Sequence, residues 1–213
     1  MPRTLSFTDR LIAHFDNALR TLTPGAVSAR TANPADTVAH DDLSDAERRH
    51  SQALMRINHS GEVCAQGLYQ GQALTASLPS MRASMSLAAD EELDHLAWCD
   101  QRLQELHGRT SWLNPLFYGL SYGLGAVAGA AGDRYSLGFV AATEDQVSQH
   151  LSAHLRQIDQ IDARSTAILE QMLADERRHE ANALAAGGIE YPLRVKQLMT
   201  AVSKLMTRVA YHI

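Results

Sequence analysis

Two short stretches carry side chains that could do chemistry together. Glu92-Leu93-Asp94-His95 and Glu176-Arg177-Arg178-His179 each set a carboxylate and an imidazole three residues apart. On a helix, positions i and i+3 share a face about 5–6 Å apart, so one metal ion can take a ligand from both. Each stretch follows a lone glutamate on an earlier apolar helix. Glu62 lies 30 residues before Glu92, and Glu144 lies 32 before Glu176. Packed together, four such helices bring four carboxylates and two imidazoles into one buried site, the ligand set of a di-iron or di-manganese carboxylate bundle.

A single Glu-x-x-His is weak evidence. Ten glutamates and ten histidines in 213 residues give roughly half an occurrence by chance. Three occur. The third, Glu47-Arg48-Arg49-His50, stands at a helix start, where Glu47 has a capping role, about 20 Å along the helix from Glu62 by helical rise. It reads as a decoy. The other two are supported by spacing: Glu62 to Glu144 is 82 residues and Glu92 to Glu176 is 84. Two up-down helix pairs related by an approximate two-fold place these ligands symmetrically. The competing reading is a set of ordinary interhelical salt bridges. Charge favours the metal: four carboxylates and two neutral imidazoles carry −4, which two Fe²⁺ ions cancel, limiting the cost of burial. Oxygen ligands with some imidazole suit iron or manganese. Glu91 and Asp175 each stand four residues before a ligand histidine, where either could accept the free imidazole N–H. His59, His150 and His154 are further candidates near the site, though lone helical histidines are more often packing or surface residues.

The remaining elements must position those six side chains. Hydrophobic content is 45% and net charge −5, enough for a well-cored domain and unlike a nucleic-acid binder. Two cysteines without paired spacing, Cys64 and Cys99, fit a reducing compartment. No signal-peptide apolar run opens the chain. Alanine, leucine, glutamine and arginine dominate and no period-two runs occur, so the expected fold class is all-α. Residues 1–42 read as an amphipathic helix, with Leu11, Ile12, Phe15, Leu19 and Leu22 on one stripe, followed by a loose linker or extended arm. Residues 43–213 read as the metal-binding bundle. Its helices run from a Ser44/Glu47 capping box to about Ser77, from about Ser80 to His107, from near Arg134 to near Ile161, and from about Ala163 to Ala186 before Gly187-Gly188. Gly61, Gly67 and Gly71 suggest close helix packing. Residues 110–132 carry no charge; Asn114, Pro115 and five glycines weaken a membrane span, so a short apolar helix plus turns is expected, either at a membrane interface or buried as a connection. The segment after Pro192 has an apolar face of Val195, Leu198, Met199, Val202, Leu205, Met206 and Val209, with Arg194, Lys196, Lys204 and Arg208 beside it. An anionic membrane, the bundle and a second subunit are its three candidate partners.

The runs Arg56-Ile57-Asn58-His59-Ser60-Gly61-Glu62, Glu91-Glu92-Leu93-Asp94-His95, Ala142-Thr143-Glu144 and Asp175-Glu176-Arg177-Arg178-His179 resemble the demethoxyubiquinone hydroxylase family, ferritin-like di-iron monooxygenases of ubiquinone biosynthesis. The resemblance spans about residues 45–213. It implies a ferritin-like four-helix bundle with additional apolar and amphipathic helices, and two iron ions held by Glu62, Glu92, His95, Glu144, Glu176 and His179. Some relatives carry a histidine–tyrosine pair after the third-helix glutamate; His150-Leu151 stands there in this chain.

The resemblance further implies a polyprenylated benzoquinol substrate, ring hydroxylation with O2, and peripheral contact at the cytoplasmic face of the cell membrane. Two electrons per turnover must come from the quinol, from NADH or from a partner, since no flavin or nicotinamide fold is visible. Rival readings are an alternative-oxidase-like enzyme, a tRNA hydroxylase, a manganese catalase and a non-enzymatic iron-storage bundle. The apolar 110–132 segment fits lipid access better than it fits the last three.

Overall fold

The computed structural model describes residues 7–213, apart from the side chains of residues 7, 10, 11, 79, 80, 82–84 and 86. Its elements are α1 (Phe7–Leu22), a 3-10 turn (Pro34–Thr37), α2 (Asp45–Thr75), α3 (Pro79–Glu105), α4 (Asn114–Ala130), α5 (Asp133–Ile158), α6 (Ala163–Ala185) and α7 (Leu193–His212). No strand appears among the described residues. The chain is all-α.

Local chemistry sets the helix ends. Ser44 and Glu47 form the reciprocal capping box at the start of α2. Pro79 opens α3, where a missing N–H costs nothing. Asp162 caps α6 through Ser165 N, and its buried carboxylate also takes Arg102 Nη2 at 2.8 Å. Past α6, Gly187 adopts φ +100°, a conformation that side-chain-bearing residues rarely take.

α2 pairs with α3 and α5 pairs with α6. Two apolar layers fix the helix directions. One holds Leu54 and Met55 of α2, Cys99 and Leu103 of α3, Leu151 and Ile158 of α5, and Ile168 and Met172 of α6. The other holds Ala65 and Tyr69, Met85 and Ala89, Leu137 and Val140, and Ala183. Sequence numbers rise from the first layer to the second in α2 and α6 and fall in α3 and α5. So α3 and α5, consecutive in the bundle, run the same way, and the chain must cross back between them. Burying each Leu, Ile or Met contributes roughly 1.5–3 kcal/mol.

α4 makes that crossing, parallel to α2 and packed along it. The expected short helix plus turns is overturned: residues 114–130 form one helix of 17 residues. Glycines explain how. A Cβ on Gly67 would meet Tyr118 O at 2.7 Å, and on Gly71 or Gly125 the opposing backbone would be closer still. The two backbones touch where side chains would hold them apart. Gly61 does not share this role, since a Cβ there meets nothing within 4 Å. The outer face of α4 leaves Trp112, just before the helix, Leu116, Leu120, Leu124 and Val127 exposed. No described helix is long and apolar enough to cross a membrane.

Residues 25–38 form an ordered arm along α3 and α6. Gly25 N donates to Asp100 at 2.7 Å, Arg30 N to Asp94 at 2.7 Å, and Arg164 Nη1 to Val38 O at 2.7 Å. On α1, Ile12, Phe15 and Leu19 are exposed while Ala18 and Leu22 pack on Tyr118 and Tyr122. Leu11 of that stripe lies outside the described side chains. α7 touches α2 and α5 lightly, and Ala210 is its one buried residue.

Candidate metal centre

Between the two apolar layers the four bundle helices present polar side chains to each other. α2 supplies Glu62, α3 supplies Glu92 and His95, α5 supplies Glu144, and α6 supplies Glu176 and His179. All six are buried. Their ligand atoms form two overlapping groups, each within 4.8 Å: Glu62, Glu92, His95 and Glu176, then Glu92, Glu144, Glu176 and His179. Glu92 and Glu176 belong to both. The remaining four divide into a glutamate and a histidine for each group. Each group could hold a metal ion, and Glu92 and Glu176 could reach both.

Glu47 and His50 stand apart from this cluster. Glu47 is held in the capping box, and His50 Nδ1 lies 3.0 Å from the Tyr211 hydroxyl.

The imidazoles give the fit test for a metal. His95 Nε2 lies 3.2 Å from Asp175 Oδ2, and His179 Nε2 lies 2.8 Å from Glu91 Oε2. Carboxylates can only accept, so both Nε2 atoms carry protons. A neutral ring then turns a bare Nδ1 lone pair inward. His95 Nδ1 faces Glu92 Oε2 at 2.9 Å, Glu176 Oε1 at 3.2 Å and Glu62 Oε2 at 3.8 Å. His179 Nδ1 lies 3.0 Å from Glu92 Oε1 without forming a hydrogen bond. Each inward Nδ1 among these carboxylates therefore holds either a proton or a metal ion. The donor set fits divalent metal ions.

Protonation shows the same demand. Burial pushes the Glu62 carboxyl well above its ordinary range, and the neighbouring Glu92 adds to the shift. Burial, Glu176 and Glu92 do the same to Glu144. Burial works against a charged imidazole, but the surrounding carboxylates outweigh it, so His95 is raised well above its usual value and His179 is pushed up to about 11. Without a metal, protons fill the site. Metal ions take their place by binding the deprotonated ligands.

The partners of the two histidines are exchanged relative to expectation. Glu91 and Asp175 each serve the histidine of the opposite helix, not the one four residues along their own. The reason is direction: His95 turns toward the centre, and its outward nitrogen meets α6. Tyr69 is a site residue that sequence reasoning placed only on the apolar face of α2. Its hydroxyl donates a short hydrogen bond to Glu144 Oε1. The signal available was its position seven residues after Glu62, two turns along the same face.

Around these ligands, His59 Nδ1 accepts from Asn114 at 3.2 Å, and His154 Nδ1 lies 3.0 Å from Asn58 Oδ1. Both rings are buried. His150 is half-buried near Ser203.

Comparison with known proteins agrees with this geometry. The family model described as Ubiquinone biosynthesis protein COQ7 matches residues 49–210, a span that contains all six clustered side chains. A protein of Ectopseudomonas mendocina named 3-demethoxyubiquinol 3-hydroxylase is 59% identical over 211 residues, covering 99% of this chain and 98% of its own. Its namesake in Acinetobacter baumannii is 60% identical over 205 residues, covering 96% and 97%. That of Chromohalobacter salexigens is 57% identical over 211 residues, covering 99% of each. With its four-helix ligand cluster inside the matched span, the chain belongs to the family of Ubiquinone biosynthesis protein COQ7.

Proposed function

We propose that the chain is a di-iron monooxygenase that hydroxylates the ring of a polyprenylated 3-demethoxyubiquinol with O2 in ubiquinone biosynthesis. The observation that carries this reading is the pair of inward Nδ1 atoms set among four buried carboxylates. Glu62 and His95 would hold one ion, Glu144 and His179 the other, with Glu92 and Glu176 shared. Two iron ions, when bound there, would supply O2 activation for insertion into a ring C–H bond. The overall change consumes O2, two electrons and two protons, leaving one oxygen atom in the product and one in water. The electrons come from an external two-electron donor, NADH or the quinol itself.

The chain's own residues prepare the site. Asp175 and Glu91 fix both imidazole tautomers. Tyr69 holds Glu144 on the side of the second apolar layer. That layer is rich in alanine, with Ala65, Ala73, Ala89, Ala141 and Ala183 around Tyr69 and Met85. Its small side chains suit the approach of a flat ring, and its apolar walls exclude water. Leu74, Leu78 and Leu87 are exposed at the α2–α3 end of the bundle.

Exposed apolar stripes support docking on the cytoplasmic face of the cell membrane. On α7, Val195, Leu198, Val202 and Leu205 face outward, and Arg194, Lys204 and Arg208 flank them along one edge. Apolar area with a basic border suits an anionic lipid surface. The outer face of α4 adds a second uncharged stripe.

The test is turnover. Iron-loaded protein is incubated with demethoxyubiquinol, O2 and a reductant, and the quinone pool is analysed by mass. The reading expects a product one oxygen atom heavier. No such product with a competent reductant contradicts it.

A further inference from the structure

One helical turn from the ligands lies a layer whose polar atoms the apolar core leaves unmatched. Asn58 stands four residues before Glu62 on α2, and Ser148 stands four after Glu144 on α5. Both are buried, Asn58 to 6% exposure. Across the bundle the equivalent turns carry Cys99 and Met172, which satisfy each other with a thiol contact of 3.8 Å. The α2–α5 side is different. Asn58 Nδ2 and Ser148 Oγ find no hydrogen-bond partner among the described residues. Leaving a buried donor unpaired costs about 1–3 kcal/mol, so the Asn58 amide, one turn from Glu62, is placed to meet an added acceptor.

His154 sets which way the Asn58 amide points. The ring lies 3.0 Å from Asn58 Oδ1. Oδ1 only accepts, so His154 Nδ1 donates and the amide N–H pair is turned away from α5. Electrostatics favour the same orientation. A donor facing a carboxylate-rich centre is attracted, whereas a carbonyl oxygen there is repelled. Burial lowers His154 to about 4, which keeps the ring neutral and its tautomer fixed by Asn58 near neutral pH.

We infer that Asn58 donates a hydrogen bond, through Nδ2, to the small exogenous ligand that seats beside Glu62, and that His154 is the positioning residue that aims it. The ligand class is a compact oxygen-bearing molecule or anion: dioxygen in turnover, azide as its probe. This rests on the di-metal reading of the six-ligand cluster.

Azide titration of the iron-loaded, oxidised full chain, followed by absorption, tests it, with iron content measured in parallel. Asn58→Leu is expected to keep both irons and bind azide about 10- to 100-fold more weakly, the range for losing one hydrogen bond to a charged acceptor. His154→Leu frees the amide and weakens azide binding in the same sense. His154→Asn, whose Nδ2 takes the place of Nδ1 and can still donate to Oδ1, restores it. Azide affinity within threefold of the unsubstituted chain in Asn58→Leu overturns the inference. So does loss of iron in that variant with the fold intact, which would make Asn58 a support of the centre itself. If Asn58→Leu does not fold, the histidine pair decides: equal azide affinity in His154→Leu and His154→Asn rejects the positioning role. An unsubstituted chain that takes up no iron fails the di-metal reading instead, before azide is added.

Discussion

Asp175 Oδ2, on α6, stands 3.2 Å from His95 Nε2, on α3, and the corresponding Glu91, on α3, stands 2.8 Å from His179 Nε2, on α6. Each helix lends the other the carboxylate that fixes its imidazole. Arg102 to Ser165 at 3.0 Å and Arg164 to Glu105 at 2.9 Å join the same two helices farther along, so this exchange ties the α3–α6 seam together at the level of the cluster.

Asp175→Ala therefore leaves His95 free to rotate or to change tautomer. Such supporting partners typically change metal affinity by 10- to 100-fold. Competition with a chelator is expected to strip iron from Asp175→Ala, and likewise from Glu91→Ala, at correspondingly lower chelator concentrations. Unchanged retention in both would show that the exchanged carboxylates do not support the ligands.

The α2–α4 contact predicts opposite outcomes for two glycines of one helix. Gly71→Ala places a methyl against the Tyr122 and Ala126 backbone and is expected to cost about 1–3 kcal/mol. Gly61→Ala meets open space and is expected to be neutral or to stabilise by roughly 0.5–1 kcal/mol. Urea unfolding of the two variants reads the difference directly.

How much of this was legible in the sequence depends on whether a contact runs along a helix or between helices. The six clustered side chains follow from i, i+3 spacing and from carboxylates inside apolar stripes, both properties of a single helix. Helix ends follow from Ser44, Pro79 and Gly187 in the same way. The exchange of Glu91 and Asp175 does not, because same-helix proximity to a histidine is decided by where the ring turns. Tyr69 was hidden for a related reason: a tyrosine on an apolar face reads as packing until the carboxylate opposite, Glu144, is placed. The continuous helix at 114–130 needed the glycines of two segments to be seen together. Gly61 sits in the same run as Gly67 and Gly71 but points elsewhere.

His59 makes stability depend on acidity. Burial lowers it to about 4, whereas an unfolded histidine takes up a proton near 6.5. Between those values the unfolded chain binds more protons than the folded one, so stability falls as pH drops from 6.5 toward 4. The loss from this residue is about 3 kcal/mol across the window and about 2 kcal/mol by pH 5. In denaturant unfolding of the metal-free chain, His59→Asn is expected to lose that much less stability between pH 7 and pH 5.

Membrane docking is tested on α7. Leu198→Glu with Leu205→Glu places two charges in the exposed apolar stripe without touching the ligands. Cosedimentation with anionic vesicles is expected to fall at least about tenfold, since a charge in an apolar lipid contact costs on the order of kcal/mol. Binding that persists in the double variant would move the docking face elsewhere.

The most direct test of the central claim is the number of iron ions held per chain. Metal analysis of the reconstituted protein is expected to give two for the unsubstituted chain, two for Glu47→Ala and fewer than two for Glu144→Ala. Two ions retained by Glu144→Ala, or equal loss from Glu47→Ala, would contradict the assignment of the six ligands.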